Sequence, residues 1–345
     1  MAKLKAVIVG SGLIAGLKHI PAFRRHRGKV SLAALCDLNL EAAQRVASAN
    51  DIPHAYGNLA EMLAEEKPDI VDICTPPQTH ARVAIEAIRA GANVLIEKPM
   101  APSVADCDAI VDATKESGAK VCVAHSDLFY YPIIEARKLV RTGAIGKFRG
   151  MRVFLSTPTN YITSKKDHWA HRLPGGVIGE TGPHIAYLTL AFISPVRSVN
   201  VNALKLLAQY PWSHYEDYRI DLVGEEAVSS VTLSYATNQW MARVEILGED
   251  ATLLVDLEAM SLITYRREHL NPFTIGLSAL KESSRILGSL LINAARYGTN
   301  TLRTTHDFII GGFIESIING TVPPVTAEEG RESVRVLNMI VDTLT

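Results

Sequence analysis

The 345-residue sequence is poor in cysteine, balanced in charge and without long apolar runs. Its four cysteines form no CxxC pair and no cluster with histidine, which excludes zinc-ligand spacing and a disulfide framework. The net charge of −1 offers no basic footprint for nucleic acid. The longest apolar stretches, 185–193 and 286–292, fall well short of the ~20 residues that cross a bilayer. We therefore expect no metal, no nucleic-acid partner, no membrane contact and a reducing, cytoplasmic location.

Two motifs of hydrolytic enzymes are also missing. The sequence contains no GxSxG nucleophile elbow and no HExxH motif, so neither acyl transfer nor zinc hydrolysis is indicated. Near the N-terminus the apolar run covers only Ala6 to Val9, and we interpret it as mature sequence rather than a secretion signal. At ~150 residues per domain, the length predicts about two domains.

The apolar pattern changes part-way along the chain. Up to residue 124, continuous β-branched runs such as LKAVIVG and PDIVDICT alternate with amphipathic segments, which is typical of a doubly wound parallel sheet covered by helices. Beyond Gly146, runs such as AVSSVTLSYA alternate more and predict a large, open, mostly antiparallel sheet with flanking helices. We therefore expect an α/β domain over 1–124 and an α+β domain over 125–345, with a helical insertion at about 275–297.

A glycine-rich turn follows the first predicted strand. Gly10, Gly12 and Ala15 form a G-x-G-x-x-A motif, whose glycines let backbone N–H groups approach a pyrophosphate at the start of the helix predicted over 13–23. A second strand ends in Asp37, 22 residues after Ala15, where an acid accepts hydrogen bonds from a ribose 2′-hydroxyl. That acid repels a 2′-phosphate, so the motif favours NAD over NADP. The predicted cofactor contacts are Gly10, Gly12, Leu13, Ile14 and Asp37.

Further motifs follow the fourth and fifth strands of this series. Thr75 begins TPPQTH after one strand, and Glu97 begins EKP after the next. Together with the glycine turn, GAIGKF at 143–148, ETGPH at 180–184 and PPV at 323–325, they resemble the Gfo/Idh/MocA family of glucose-fructose oxidoreductase and inositol dehydrogenase relatives. The resemblance covers nearly the whole chain and implies an NAD(P)-dependent oxidoreductase with a Rossmann domain and a substrate domain, assembled as a homodimer or homotetramer. The cofactor contacts that it implies include Thr75, Pro76, His80, Glu97 and Lys98.

Oxidation of a sugar hydroxyl needs a group that takes the hydroxyl proton and a positive charge that favours the alkoxide. Lys98 follows an apolar strand, at the sheet edge where open α/β folds bind ligands, and partial desolvation there would lower the pKa of its ammonium. The resemblance implies a cis bond before Pro99 that turns the lysine toward the cleft. His184, which we expect to open an apolar helix after a Gly/Pro turn, is the candidate acid and base because its ordinary pKa of ~6.5 lies near neutrality. Glu180 stands where the family usually has Asp and would orient the imidazole.

Two further segments offer substrate contacts. His125 and Asp127 follow the sixth strand, where many relatives carry an Arg, and Asp127 either faces neutral hydroxyls or caps the helix near Tyr130. Trp169 and Arg172 precede a double glycine, and they could stack on a sugar and grip a carboxylate or phosphate, or form a solvated loop. The substrate candidates are His125, Asp127, Trp169, Arg172 and Thr181.

The insertion at 275–297 has apolar residues such as Leu280 and Leu287 at helical spacing, with Lys281 and Arg285 on another side. It either packs on its own sheet or a subunit interface, or offers a basic face to a nucleotide-sugar diphosphate or a partner enzyme.

Two classes of function remain open for the whole chain, since fold alone does not decide between them. The first is an NAD(H)-dependent oxidoreductase that transfers a hydride between the nicotinamide and a secondary alcohol or ketone of a sugar, cyclitol or nucleotide sugar. The second is a catalytically silent, dinucleotide-dependent binding or regulatory protein of the same fold.

Overall fold

The structure is a computed structural model that describes residues 3–266, 269, 271–299 and 303–344, and the side chains of all of these except 296 and 297. The chain divides into two compact units, one of Met1–Phe129 with Arg303–Arg335 and one of Tyr130–Leu302 with Val336–Thr345. Over the described ranges, none of the helices has the length and apolar composition that crossing a membrane requires.

The first unit is built on a parallel sheet. Within residues 3–129 it has six strands in the order β3-β2-β1-β4-β5-β6. The central strands are apolar and buried, as expected of a sheet covered on both faces. The strands are β1 (Leu4–Val9), β2 (Val30–Cys36), β3 (His54–Tyr56), β4 (Ile70–Ile73), β5 (Asn93–Ile96) and β6 (Val121–Val123).

Helices connect these strands. The helix predicted over 13–23 is present, but it contains a π-helical segment, Ala15–His19, before α1 (Ile20–Arg25). Side-chain caps start three of the later helices, at Asn39, Asn58 and Ser103; Asn39, for example, accepts the N–H of Ala42 at 3.1 Å. The remaining helices of this part are α2 (Leu40–Ala49), α3 (Leu59–Glu66), α4 (His80–Arg89), α5 (Val104–Ser117) and the 3₁₀ turns Pro77–Thr79 and Ser126–Phe129.

The second unit has a larger sheet. Over 130–266, seven strands follow the order β13-β12-β11-β7-β10-β9-β8, and β7 and β10 form the one parallel pair among these described strands. Alternate residues of β10 such as Val231 and Leu233 are buried, so one sheet face packs on the core. The predicted fold class is therefore confirmed in both parts. The elements are α6 (Tyr131–Arg141), β7 (Phe148–Pro158), a 3₁₀ turn (Trp169–Arg172), α7 (Ile178–Leu190), β8 (Ser198–Leu204), β9 (Asp217–Val223), β10 (Val228–Thr237), β11 (Met241–Gly248), β12 (Thr252–Asp256), β13 (Ser261–Tyr265) and α8 (Pro272–Gly298).

The C-terminal helices α9 (Thr305–Asn319) and α10 (Ala327–Asp342) change the domain boundaries expected from the sequence. Residues 125–129 and 303–335 belong to the first unit, although we assigned them to the second domain. The reason is packing over long sequence distances: the Nε2 atom of His26 lies 3.0 Å from the carbonyl oxygen of Asp307, and Phe313 is fully buried. The chain therefore returns to the first unit after completing the sheet of the second.

Helix α8 corresponds to the predicted insertion and packs beside β13. Its apolar side is solvent-exposed: Phe273, Leu280 and Leu291 are 80%, 68% and 64% exposed. Its basic residues Lys281 and Arg285 line a cavity of about 410 Å³ in the second unit.

Candidate active site

The loops that follow the strands of the first unit meet at one sheet edge, because its described strands all run parallel. The strand order reverses between the neighbours β1 and β4, since β1 leads to β2 on one side and β4 leads to β5 on the other. Open α/β sheets bind ligands outside the carboxyl ends of the strands at such a switch point. Gly10, Thr75 and Lys98 all lie in loops at this edge.

The glycine turn after β1 contains two glycines with different surroundings. Gly10 has a φ of +103°, and a Cβ atom there would lie 2.6 Å from the carbonyl oxygen of Cys74, so no larger residue fits. A Cβ atom at Gly12 would meet no atom within 4 Å. Gly12 thus leaves room for a pyrophosphate to approach the N–H groups at the start of the helix.

Asp37 anchors this turn from the end of β2. Its Oδ2 atom accepts the N–H and the hydroxyl of Ser11, both at 2.8 Å, and its Oδ1 atom accepts the N–H of Asn39 at 2.9 Å. Burial raises the pKa of Asp37, but the hydrogen bonds from Ser11 and Asn39 outweigh it and lower the pKa below its ordinary value. A carboxylate offers about four acceptor positions, so the ionised Asp37 can still accept a ribose hydroxyl.

The loop after β4 contains three predicted cofactor contacts. Thr75 is half-buried and Pro76 is exposed, so both can meet a ligand. His80 is fully buried, with Nε2 at 2.7 Å from the carbonyl oxygen of Thr75 and Nδ1 at 2.9 Å from that of Pro99. His80 therefore joins the loops after β4 and β5, and the structure gives it no surface for direct cofactor contact.

Glu97 and Lys98 follow β5 and face different surroundings. Lys98 is half-buried, and the peptide bond between Lys98 and Pro99 is cis. Glu97 is buried; its Oε2 atom accepts the N–H of Lys98 at 2.9 Å, and its Oε1 atom lies 2.8 Å from Nε2 of His19. Lys98 can thus meet a ligand, whereas Glu97 is turned into the unit.

The segment after β6 holds two substrate candidates. His125 is buried, and Asp127 is half-buried in the 3₁₀ turn that ends the first of the two segments of the first unit. Helix α6 has Tyr130 as its N-cap residue, and the side chain of Tyr130 forms no capping hydrogen bond. Its Oδ1 atom accepts the hydroxyl of Ser126 at 3.4 Å.

In the second unit, Glu180, Thr181 and His184 lie on α7. The expectation that His184 opens a helix is wrong, because the helix begins at Ile178 and Pro183 lies inside it. The glycines of this segment permit close packing: a Cβ atom at Gly182 would lie 2.6 Å from Cδ1 of Leu337. A Gly-Pro pair that suggests a turn in the sequence is therefore part of a closely packed helix.

Glu180 and His184 are one helical turn apart and share a face of α7. Both are half-buried. The Oε2 atom of Glu180 accepts the hydroxyl of Thr181 at 3.1 Å, and Nδ1 of His184 lies 2.6 Å from the hydroxyl of the buried Tyr187. Tyr187 thus contacts the imidazole directly, and sequence reasoning missed it; its position three residues after His184 on a helix was the available signal.

The segment 168–172 presents aromatic and basic groups. Trp169 is 49% exposed and stacks on His168 with ring centroids 5.7 Å apart, and Arg172 is exposed. The Nδ1 atom of His168 accepts the N–H of Ala170 at 3.2 Å. Among the described buried side-chain polar atoms, Nε2 of His171 alone has no hydrogen-bond partner. The segment keeps an aromatic face and a guanidinium available to a ligand.

Sequence reasoning missed a buried polar cluster behind Lys98. His19, in the π-helical segment, contacts Asp72 of β4 with one ring nitrogen and Glu97 with the other, and His306 of α9 also approaches Glu97. We expected no metal site, and ligand spacing gave no sign of one. The structure nevertheless brings His19, Glu97 and His306 together, and likewise His19, Asp72 and Cys74, with the ligand atoms of each group within 4.8 Å of one another.

The turn, the open space at Gly12 and the ionised Asp37 fit a dinucleotide. The matches to family models agree with this geometry: residues 4–125 match the oxidoreductase family with an NAD-binding Rossmann fold, and residues 133–254 match the GFO/IDH/MocA C-terminal domain. The chain belongs to the Gfo/Idh/MocA oxidoreductase family. The resemblance stated from the motifs is thereby confirmed.

Relatives within the Gfo/Idh/MocA family are distant. An uncharacterized oxidoreductase of Synechocystis, sll0816, is 26% identical over 68% of this chain and 63% of its own length. A D-apiose dehydrogenase of Paraburkholderia graminis is 32% identical over 42% of this chain and 38% of its own length. The chain thus spans less than two thirds of these relatives. The WlbA dehydrogenase of Bordetella pertussis, solved with NADH and UDP-GlcNAcA, has the same fold, with a TM-score of 0.80 at 24% identity over 99% of this chain and 95% of that one.

The two glycines of the turn predict different effects of alanine. Gly10→Ala should lower the melting temperature, because its Cβ atom would collide with the Cys74 carbonyl group. Gly12→Ala should leave the melting temperature within about 2 °C of wild type, yet weaken NADH binding at least ~10-fold, because its methyl group would occupy the pyrophosphate position. Thermal unfolding and NADH fluorescence titration measure both effects. Unchanged NADH affinity in Gly12→Ala would contradict the assignment of this turn.

Proposed function

We propose that the protein is an NAD-dependent dehydrogenase that oxidises a secondary alcohol, or reduces the matching ketone, of a sugar, cyclitol or nucleotide sugar. When bound, the dinucleotide would accept or donate the hydride. The observation that carries the proposal is the sheet edge at which the glycine turn, the ionised Asp37 and the half-buried Lys98 follow neighbouring strands. The membership of the family and its named dehydrogenases support the reaction class.

Lys98 would hold the reacting oxygen of the substrate. Its ammonium would donate a hydrogen bond to that oxygen and favour the negative charge that develops on it. The backbone of Lys98 is held by the Glu97 carboxylate, so the direction in which the side chain leaves the strand is fixed. A backbone held in this way reduces the reorganisation that substrate binding requires.

His184 would move the hydroxyl proton. The hydroxyl of Tyr187 lies 2.6 Å from its Nδ1 atom, and the proton would move at Nε2. Glu180, one helical turn earlier on α7, would orient the imidazole. Thr181, Trp169, Arg172, His125 and Asp127 remain proposed substrate contacts.

The cofactor preference would come from Asp37. A 2′-phosphate would meet the ionised carboxylate, whereas a 2′-hydroxyl can donate a hydrogen bond to it. NAD is therefore proposed over NADP.

The structure adds no support for a diphosphate site on α8. The cavity that Lys281 and Arg285 share with Arg266 contains none of the candidate site residues in its lining. Turnover of a free sugar and of its nucleotide conjugate, measured side by side, distinguishes these two substrate classes.

The role of Lys98 predicts a large kinetic effect of its removal. With NAD and a panel of polyols, cyclitols and nucleotide sugars, Lys98→Ala should lower kcat/KM by about 100-fold or more for the substrate that the wild type turns over. Lys115→Ala, at an exposed lysine of α5, is the matched control and should retain wild-type activity. A loss below threefold in Lys98→Ala would remove the lysine from the reaction. NADH binding without turnover of any compound would favour the silent binding protein instead.

The role of Asp37 predicts a change in cofactor preference. Asp37→Ser should lower the ratio of the NADPH to the NADH dissociation constant at least ~10-fold, because the charge that repels the 2′-phosphate is gone. The ratio is the right measure, since the loss of the Ser11 contacts weakens both ligands. Asp51→Ser, at a side chain that is 89% exposed, is the control. An unchanged ratio in Asp37→Ser would show that preference is set elsewhere.

A further inference from the structure

The cluster behind Lys98 is a continuous chain of ionisable groups inside the first unit. The Nδ1 atom of His19 lies 2.8 Å from Oδ2 of Asp72, and its Nε2 atom lies 2.8 Å from Oε1 of Glu97. The same Oε1 atom lies 3.5 Å from Nε2 of His306. His19 and Asp72 are fully buried, and Glu97 and His306 are 7% and 6% exposed.

The geometry sets the charge of His19. Both of its ring nitrogens lie within hydrogen-bond distance of carboxyl oxygens, and an imidazolium is the form of the ring that donates to two ionised carboxylates at once. Burial by itself lowers the pKa of His19, but the neighbouring charge of Asp72 and its hydrogen bond raise the pKa well above its ordinary value. Burial likewise raises the pKa of Glu97, and the hydrogen bonds and charges of His19 and His306 outweigh it, so the pKa falls well below its ordinary value.

Glu97 connects His19 to the backbone of Lys98. One carboxylate oxygen is held by the imidazolium and the other accepts the N–H of Lys98 at 2.9 Å, so the carboxylate cannot rotate without breaking one of these bonds. At the other end, Asp72 is fixed by His19 and by the thiol of Cys74, whose Sγ atom lies 3.7 Å away. The orientation of the Lys98 peptide therefore depends on the charge of His19, which lies behind Glu97.

The π-helical segment explains how His19 reaches this position. The segment Ala15–His19 begins three residues after Gly12 and ends on the buried histidine. A π turn shifts every later side chain relative to an α-helix, and such turns are frequent at functional sites. The helix thus begins at the glycine turn, and its π-helical segment ends at His19, which contacts Glu97.

We propose that His19 and Glu97 are positioning residues: the buried Asp72–His19–Glu97 ion chain orients Lys98 and ties it to the helix that follows the glycine turn. The proposal rests on the proposed function for the role of Lys98 in the reaction. It does not rest on that function for the geometry, which involves the first unit alone.

Binding of a metal ion is the alternative role for the same side chains. It would need a neutral His19, with Nε2 and Glu97 as ligands and Nδ1–H on Asp72. The ion chain instead needs a doubly protonated ring. The two arrangements differ in the number of ring N–H groups and in zinc content, both of which are measurable.

The first test uses the protein without substrate. In His19→Gln, the charge that holds Glu97 is lost, so the amide proton of Lys98 should exchange with solvent at least ~10-fold faster than in wild type. His54→Gln is the matched control, because His54 also pairs with a glutamate, Glu66, in the first unit but is much more exposed. Unchanged exchange at Lys98 in His19→Gln would overturn the proposal.

The charge state of His19 is read separately. Imidazole NMR of the wild type at pH 7.5 should show two N–H groups on His19, and zinc analysis of the purified protein should show no stoichiometric metal. One N–H group on His19, or one zinc ion bound per protein molecule, would overturn the proposal.

The pH dependence of stability follows from the raised pKa of His19. The stabilisation is fully present below the unfolded pKa of ~6.5 and is lost as the pH rises through the folded pKa, so between these values the unfolding constant should rise about tenfold per pH unit. The titratable groups that face His19 are Asp72, Cys74, Glu97 and His306. In Glu97→Gln the folded pKa of His19 should fall while the unfolded pKa stays the same, so this rise should end at a lower pH. An unshifted end of the rise would contradict the coupling.

The last test links the Asp72–His19–Glu97 ion chain to the reaction. Glu97→Gln should lower kcat at least ~10-fold in the wild-type background but less than twofold in Lys98→Ala, because the lysine through which it acts is gone. An equal loss in both backgrounds would show a merely structural role. If faster amide exchange occurs in a protein that turns over no substrate, the positioning stands and the proposed function fails.

Discussion

The parallel direction of the strands in the first unit is the constraint on which the candidate site depends. It brings every loop that follows a strand to one edge, and the strand order reverses there between β1 and β4. The approach of the loops is close, since a single methyl group at Gly10 would collide with the backbone of Cys74. Gly10 and Cys74, 64 positions apart in the sequence, are thus neighbours because of the sheet, and the chemistry of the site follows from which side chains the loops carry.

Charge is distributed in two layers at this edge. Asp37 and Lys98 keep part of their surface exposed, whereas His19, Asp72 and Glu97 are buried. Burying ions is costly, and removing one partner of a buried pair typically costs about 3–5 kcal/mol. A chain of such ions is therefore a weak source of net stability, and its use is better explained by the geometry that it imposes on Lys98.

Much of the fold and part of the site can be predicted from the sequence, because they depend on local pattern. The strand runs, the glycine turn and the spacing to Asp37 each lie within a few tens of residues, and they predict the Rossmann part correctly. His184 was misplaced because Gly182 and Pro183 are local turn signals, and only packing against Leu337 shows why a helix tolerates them there. Fully buried His19 gave no signal, since its partners Asp72 and Glu97 are 53 and 78 residues away.

The grouping of 303–335 with the first compact unit was not foreseen for the same reason, because sequence order does not show that α9 packs there. The exposed apolar side of α8 is equally invisible in its periodicity, which predicts an amphipathic helix but not which side faces the protein.

The central claim is that Lys98 assists a hydride transfer at this sheet edge, and isotope transfer tests it most directly. Wild-type protein given NADH deuterated at the transferring position, with the ketone of its substrate, should form an alcohol one mass unit heavier at the reacting carbon. Lys98→Ala should form this product at least ~100-fold more slowly. Deuterium that enters from solvent rather than from NADH, or an equal rate in Lys98→Ala, would contradict the account.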